Sequence, residues 1–159
     1  MNKTYLLLGS NMGKSWQQLQ TSIKHLEKKI GKVIRKSAIY TTAAWGNTNQ
    51  PDFLNQVIVI ETILTAPETL QHILAIEKKM GRIRTVKNAP RIIDIDILFF
   101  NKQIIQLKDL IIPHPEIQNR QFVLVPLNEL SPRFKHPVLN KNIHQLLAVC
   151  TDQLNVKKF

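Results

Sequence analysis

The sequence has almost no cysteine, because Cys150 stands alone among 159 residues. A lone cysteine cannot form a disulfide within the chain, and no histidine is placed to activate its thiol, so a packing role is expected. Long apolar runs are absent as well, since none reaches the about 18 residues that a membrane helix needs. The apolar stretch near the N-terminus is too short for a secretion signal. These absences predict a cytoplasmic protein with no membrane segment.

Acidic residues are scarce: 11 acids face 22 lysines and arginines, which leaves a net charge of +11. Such an excess attracts anions, for instance a nucleic acid or a polyphosphate metabolite, although many of the lysines are expected only to solvate the surface. The length and the 43% hydrophobic content suit one domain with a real core. We therefore expect a single domain that covers residues 1–159.

Apolar periodicity predicts an alternation of strands and helices along the chain. Strands are expected at Tyr5–Leu8, Lys32–Thr42, Phe53–Ile63 and Ile92–Phe100, and helices at Ser15–Ile30 and from a Thr65 cap to Gly81. This β-α-β-β-α-β order predicts an α+β, ferredoxin-like fold, an antiparallel sheet with both helices on one face. Further on, a turn at Asn101–Lys102 should lead into a short partner strand at Gln103–Ile105, and Phe122–Leu130 should be helical. The tail is predicted to be the least regular part of the chain.

Two acids interrupt the fourth predicted strand, at Asp94 and Asp96. Alternate side chains of a strand share a face, so both carboxylates should point one way while Ile93, Ile95 and Ile97 point into the core. Neighbouring carboxylates repel unless a positive charge joins them, and carboxylate oxygens suit Mg²⁺. The alternative is that both acids pair only with nearby arginines on a solvated edge. Asp is disfavoured in strands, which favours the metal site.

Three arginines, Arg82, Arg84 and Arg91, lie between the second helix and the aspartate strand. A guanidinium offers a rigid fork of donors that suits phosphate, so acids that hold metal and arginines that hold phosphate would form one polyphosphate site. Direct neutralisation of the two aspartates is the alternative role of these arginines.

Two other functions can be weighed at this point. The segment Gly9–Ser15 resembles a phosphate-binding P-loop, but only three residues separate its glycines where that motif requires four. Gly9 and Gly13 are therefore expected to serve turn geometry and the entry into the helix instead. A basic ferredoxin-like sheet could also bind single-stranded RNA through surface aromatics. The aromatic content is only 6%, and acids in the middle of the binding face would repel phosphates, which argues against RNA.

Five segments in order resemble the 6-hydroxymethyl-7,8-dihydropterin pyrophosphokinase family. They are the opening Leu8–Gly13, the central Gln50–Asn55, Glu77 with Gly81, Arg82 and Arg84, the run Lys87–Leu98, and Pro113–Pro115 with Arg120 and Phe122. The resemblance spans nearly the whole chain. It implies transfer of the terminal pyrophosphoryl group of ATP to the hydroxymethyl oxygen of a reduced pterin, with release of AMP.

The resemblance also implies roles for individual residues. Asp94 and Asp96 would hold two Mg²⁺ ions, and Arg82 and Arg91 would act with them in catalysis. The pterin would be bound by Thr42, Ala43, Ala44, Trp45, Phe53, Asn55 and Phe122. ATP would be bound by Glu77, Arg82, Arg84, Arg91, Ile97, Leu110, His114 and Arg120. For Phe53 and Phe122, ordinary core packing is the alternative, and His114 between two prolines could simply stiffen a loop.

The partners implied are these two small molecules, with no nucleic acid and no membrane. The protein is expected to be a monomer. Leu74, Asp109 and Ala89 depart from residues common in the family, which bears on the adenine and ribose contacts. Two loops near residues 43–52 and 82–91 are expected to close over bound ATP and to exclude water.

Overall fold

A computed structural model describes residues 1–43, 49–82 and 90–159. Its largest element is a six-stranded antiparallel sheet in which the strands run in the order β5-β1-β4-β3-β8, with β2 also paired to β4. The strands are β1 (Asn2–Ser10), β2 (Gly31–Lys36), β3 (Tyr40–Thr42), β4 (Phe53–Thr62), β5 (Asp94–Phe100) and β8 (Val156–Lys158). Strands β6 (Ile105–Leu107) and β7 (Leu110–Ile112) form a separate hairpin.

Helices cover both faces of the sheet. Helices α1 (Ser15–Lys29) and α2 (Ala66–Lys79) bury their apolar stripes against one face, and α3 (Gln121–Leu130) and α4 (Ile143–Val149) pack against the other. A short 3-10 helix, Ile117–Asn119, precedes α3. The α+β prediction is confirmed, and α1 and α2 share a face as expected. The second helical layer was not predicted. Among the described residues, no helix combines the length and the apolar character needed to cross a bilayer.

Local signals explain the ends of the two predicted helices. The Thr65 hydroxyl oxygen accepts the N–H of Glu68, and the Glu68 carboxylate accepts the N–H of Thr65. This reciprocal cap starts α2. Gly81, at φ +95, turns the chain after α2. Gly31 begins β2 directly after α1, and a Cβ there would lie 2.0 Å from the carbonyl oxygen of Glu61. Only glycine allows β2 and β4 to approach so closely at that position.

The predicted strand Lys32–Thr42 is wrong as one element, because the chain breaks between β2 and β3. The Ser37 hydroxyl accepts the N–H of Val57, and the N–H of Ala38 donates to the Glu129 carboxylate. Side chains thus replace regular ladder bonds at this break.

The predicted partner strand after Asn101–Lys102 is also wrong. The turn forms, with Asn101 at φ 50, but Ile105–Leu107 pairs with Leu110–Ile112 instead of with β5. A tight local turn at 108–109 joins those two strands. The tail, predicted to be the least regular part of the chain, contains α4 and β8.

Candidate active site

Asp94 and Asp96 lie on the same face of β5, as predicted. They stand opposite Gly9 and Leu7 of β1, and both line one cavity of about 660 Å³, a volume that includes its open mouth. Ile95 and Ile97 point into the core on the opposite face, between the sheet and helices α1 and α2. The alternation of acid and isoleucine therefore places two carboxylates on the side of the sheet that α3 covers.

Two arginines hold the Asp94 carboxylate. Arg82 donates from Nη1 to Oδ1 of Asp94, and also to Oε2 of Glu77 at 2.9 Å. Arg91 donates to Oδ2 of Asp94 at 2.8 Å. Burial alone would lower the pKa of Arg82, but the charges of Asp94 and Glu77 outweigh burial and raise that pKa. The site is therefore a compact ion network and not a row of solvated surface charges.

Asp96 lies in an environment that disfavours its charged form. Burial raises the pKa of Asp96 to about 7, and the negative charges of Asp94 and Glu77 act in the same direction, against the opposing effect of Arg91 and Arg82. A carboxyl group in this setting gains strongly from any cation that approaches it. The environment therefore favours a positively charged ligand at Asp96.

The first cavity has the character expected of a pocket for a flat ring. Phe53 and Phe122 line it together with Asn55, which is 3% exposed and whose Nδ2 has no hydrogen-bond partner among the described residues. Gly9 makes room for Asn55, since a Cβ at Gly9 would lie 2.8 Å from the Asn55 Oδ1. Its lining is completed by Leu7, Gly9, Thr42, Ala43, Arg91, Asp94, Asp96 and Arg120. Aromatic faces beside an unpaired amide suit a heterocycle with polar edges.

Gly9 lies inside β1, so its expected role in a turn is wrong. Its position opposite Asn55 in the sheet explains why this strand residue is a glycine. Gly13, at φ 71, does occupy a turn before α1.

A second cavity, of about 1140 Å³ with its open mouth, lies on the other side of Asp96. It includes three of the residues expected to bind nucleotide, Ile97, Leu110 and His114, together with the departing positions Leu74 and Asp109. Leu70, Ile95, Lys108, Ile111 and Pro115 complete its lining, along with Asp96 itself. Because Asp96 lines both cavities, molecules bound in the two cavities would meet at its carboxylate.

The tautomer of His114 follows from its hydrogen bond. Its Nδ1 accepts the N–H of Glu116 at 3.1 Å, so the neutral ring carries its proton on Nε2. Burial lowers the pKa of His114, and the charge of Arg120 lowers it further. His114 therefore offers a hydrogen-bond donor while it also fixes its own loop.

Asn11, which sequence reasoning placed only within a motif, joins the two flanks of the site. Its Oδ1 accepts the N–H of Arg91 at 2.9 Å, and its own N–H donates to the Arg91 carbonyl at 3.1 Å. Its Nδ2 donates to the Gln50 side chain at 2.9 Å and to the Pro51 carbonyl at 3.2 Å. The side chain thereby ties Arg91 to the chain that leads into Phe53. Nothing in its sequence neighbourhood revealed these long-range partners.

Some predicted residues do not line the two cavities or lie outside the described part of the chain. Glu77 is 2% exposed, and its carboxylate accepts from Arg82 and from the N–H of Ile95 at 2.7 Å. Ala44, Trp45 and Arg84 lie outside the described residues, as does Ala89. Leu7, Gly9 and Lys108 line the cavities but were not predicted to do so.

Acids and arginines gathered between two cavities are the arrangement by which phosphoryl-transfer enzymes hold metal and polyphosphate. A family model described as 7,8-dihydro-6-hydroxymethylpterin-pyrophosphokinase matches residues 5–132. The chain therefore belongs to that family, as the sequence motifs predicted, and it is a diphosphokinase of folate biosynthesis.

Individual relatives agree. A 2-amino-4-hydroxy-6-hydroxymethyldihydropteridine pyrophosphokinase from Synechocystis is 42% identical over 88% of this chain and 72% of the relative. The enzyme of the same name from Aquifex aeolicus is 38% identical over 91% of the chain and 90% of the relative. The folic acid synthesis protein FOL1 of Dictyostelium discoideum is 40% identical over 87% of the chain, which spans only 21% of that longer protein.

Solved structures of HPPK-DHPS proteins share the fold. A triple mutant of the Plasmodium falciparum protein superposes with a TM-score of 0.76 at 23% identity, over 92% of this chain and 41% of the other. A complex of HPPK-DHPS with substrates gives 0.75 at 20% identity, over 92% and 43%. The chain thus spans less than half of those proteins.

Proposed function

We propose that this chain transfers the pyrophosphoryl group of ATP to the hydroxymethyl oxygen of 6-hydroxymethyl-7,8-dihydropterin and releases AMP. The observation that carries this proposal is the position of Asp96, which lines both the cavity with aromatic walls and the larger second cavity. A pterin in the first cavity and ATP in the second would bring the hydroxyl and the phosphates together beside the paired acids. Orientation of two reactants in this way supplies much of the catalysis in phosphoryl transfer.

Asp94 and Asp96 fit the role of magnesium ligands. No group of three or more His, Cys, Asp or Glu side chains suited to a metal exists within residues 1–43, 49–82 and 90–159. Two carboxylates on one face match the habit of Mg²⁺, which takes one or two protein carboxylates and completes its shell with water and substrate phosphate. We infer that they hold two ions, which would neutralise charge on the phosphates of ATP.

Arg82 and Arg91 act as counter-ions that can change partners. Both now donate to Asp94. A cation held by the carboxylate would take over its neutralisation, and the donors of Arg82 and Arg91 would then be available to the phosphates. Arginine suits this exchange because its planar fork matches phosphate oxygens as well as it matches a carboxylate. The charge that develops during transfer would then face donors already in place.

The pterin would lie between Phe53 and Phe122, with its polar edge on Asn55. The buried Asn55 Nδ2 has no partner among the described residues, so an acceptor on the ring would remove the cost of an unmade hydrogen bond. Thr42 and Ala43 line the same cavity and offer backbone groups. Ala44 and Trp45 remain predicted parts of this pocket.

For the nucleotide, Ile97, Leu110 and His114 line the second cavity, and the Nε2–H of His114 is its natural donor. Arg120 lines the first cavity and would reach the phosphates from the pterin side. The buried Glu77 would act through Arg82, whose guanidinium it holds. Arg84 remains a predicted contact. Action as a cytoplasmic monomer, with residues 1–159 as one domain, also stays a prediction.

The test is the identity of the nucleotide product. Purified protein with Mg-ATP and the hydroxymethyl pterin should release AMP, whereas release of ADP would refute the proposed reaction. Asp94→Ala and Asp96→Ala should each abolish turnover with the fold intact by circular dichroism. Glu61→Ala, which removes an acid at the far end of β4, is the matched control and should keep full activity. Undiminished turnover in either aspartate variant would remove the metal proposal.

A further inference from the structure

The tail of the chain, residues 150–159, touches both walls of the first cavity. It lies beyond residues 5–132, the part that the family model matches. None of its residues lines that cavity, yet it bonds to the elements that do. Two separate sets of hydrogen bonds make these connections.

The first set joins Asp152 to the start of α3. The Oδ2 atom of Asp152 accepts the N–H of Gln121 at 2.9 Å, and its carbonyl accepts the Gln121 side chain at 3.2 Å. Its Oδ1 accepts the N–H of Leu154 at 3.0 Å, which fixes the carboxylate. Gln121 is the first residue of α3 and stands between Arg120 and Phe122, both of which line the cavity.

This bond replaces a cap that α3 does not have from its own sequence. Arg120, at the N-cap position, makes no side-chain cap bond. A carboxylate at a helix N-terminus satisfies an orphan N–H and complements the helix dipole. Asp152 therefore sets where the first turn of α3 begins, and with it the position of Phe122.

The second set joins the tail to β3. Strand β8 pairs with β3 in the register that places Val156 opposite Thr42, and Phe159 donates its N–H to the Ile39 carbonyl at 2.8 Å. The Thr42 hydroxyl donates to the Asn155 carbonyl at 3.1 Å. Strand β3 has only three residues and lies between β4 and β8 in the sheet. Strand β8 therefore provides the pairing along one of its two edges.

We propose that residues 152–158 form a positioning segment for the pterin pocket, with Asp152 as its main residue and the Thr42–Asn155 bond as its second anchor. The segment touches no substrate. It holds the Phe122 wall and the Thr42 wall at a fixed separation, so that a flat ring meets a pocket already formed. The proposal rests on the proposed function, because it assigns the first cavity to the pterin. It predicts an effect on pterin binding that is larger than the effect on nucleotide binding, since the segment adjoins Arg120 but contributes no residue to the second cavity.

The experiment compares steady-state kinetics of Asp152→Ala with those of the wild type. Loss of a helix cap should lower the fraction of molecules in which the pocket is formed. This loss should raise the KM for the pterin by roughly five- to tenfold. The KM for ATP should rise by no more than about twofold, because none of the residues that line the second cavity belongs to the tail segment, although Arg120, which is assigned to the phosphates, adjoins the Asp152 bond. Asp152→Asn keeps an acceptor for the Gln121 N–H and should restore most of the pterin affinity.

Asn142→Ala is the matched control. Asn142 caps α4 through Oδ1, which accepts the N–H of Gln145 at 2.8 Å, and it also lies beyond the matched residues. This variant should lower the melting temperature as much as Asp152→Ala does but leave both KM values unchanged. An unchanged pterin KM in Asp152→Ala, or an equal rise in both KM values, would overturn the inference. A wild type that releases no AMP would instead refute the proposed function.

The pairing of β8 with β3 provides an independent test in case Asp152→Ala fails to fold. Lys157→Pro puts a residue without an N–H into β8 opposite Thr41, whereas Lys157→Ala keeps the N–H, and Lys157 is an exposed residue that does not line the first cavity. We expect the proline variant to raise the pterin KM and the alanine variant to match the wild type. Equal pterin KM values in both would show that the tail does not set this wall.

Discussion

Glu77→Ala should destabilise the protein by far more than a typical surface substitution. Glu77 is 2% exposed, and its Oε2 accepts both the Arg82 guanidinium at 2.9 Å and the N–H of Ile95 at 2.7 Å. Loss of the carboxylate leaves a buried amide without this partner, at a cost of about 1–3 kcal/mol. Breaking a buried ion pair costs about 3–5 kcal/mol, although Arg82 keeps Asp94 as a partner, which places the effect near the lower value.

The sum is about 4–6 kcal/mol, a large share of the about 5–15 kcal/mol that stabilises a domain. Equilibrium unfolding in urea, followed by far-UV circular dichroism, measures it as a shift of the midpoint at constant slope. Glu77→Gln keeps an oxygen for the Ile95 N–H and should lose less, about 1–2 kcal/mol. Glu27→Ala, on the exposed face of α1, should leave the midpoint unchanged. A loss under about 1 kcal/mol in Glu77→Ala would refute the reasoning.

Two further results are expected. Burial lowers the pKa of His136, whose Nδ1 accepts the N–H groups of Val138 and Leu139, so its contribution to stability is complete above about pH 6.5 and is lost as the pH falls through the lowered value. His136→Asn keeps an acceptor that does not titrate. Its urea midpoint should therefore decline less steeply than that of the wild type between about pH 7 and pH 5. An equal decline would contradict the role assigned to His136. Asn11→Ala removes the bonds that tie Arg91 to the other flank of the site, and it should lower kcat/KM by at least roughly tenfold. Asn2→Ala, at the opposite end of β1, is the control and should keep the wild-type kcat/KM. Equal kcat/KM values in the two variants would contradict the proposed link.

Local patterns predicted the parts of the fold that depend on neighbours in sequence. The apolar period of α1, the reciprocal cap at Thr65 and the turn at Gly81 all appear where the sequence placed them. The alternation around Asp94 also predicted correctly which face of its strand carries the acids. In each case the physical cause lies within a few residues along the chain, so a single sequence contains it.

The remaining features depend on partners that are distant in sequence. The Glu129 carboxylate accepts the N–H of Ala38, 91 residues away in sequence, and so helps to divide the predicted second strand. Asn11 reaches Arg91 across 80 residues. The tail was predicted to be the least regular part of the chain, and the sequence missed β8 because its pairing depends on the free edge of β3. The sequence around each of these residues contains no record of such partners.

The outer position of β5 in the six-stranded sheet has a consequence for protein handling. In the part of the chain that the structure describes, only β1 pairs with β5, and the β5 sequence DIDILFF is otherwise strongly apolar. Unprotected apolar edges tend to join the edges of other molecules, and charged side chains along the edge discourage this. Two bonds from outside the sheet cover part of this edge: the Ile95 N–H donates to the Glu77 carboxylate, and the His114 N–H donates to the Leu98 carbonyl. Glu77→Ala uncovers the Ile95 N–H and should make self-association easier, so light scattering should accompany the unfolding measurements on that variant.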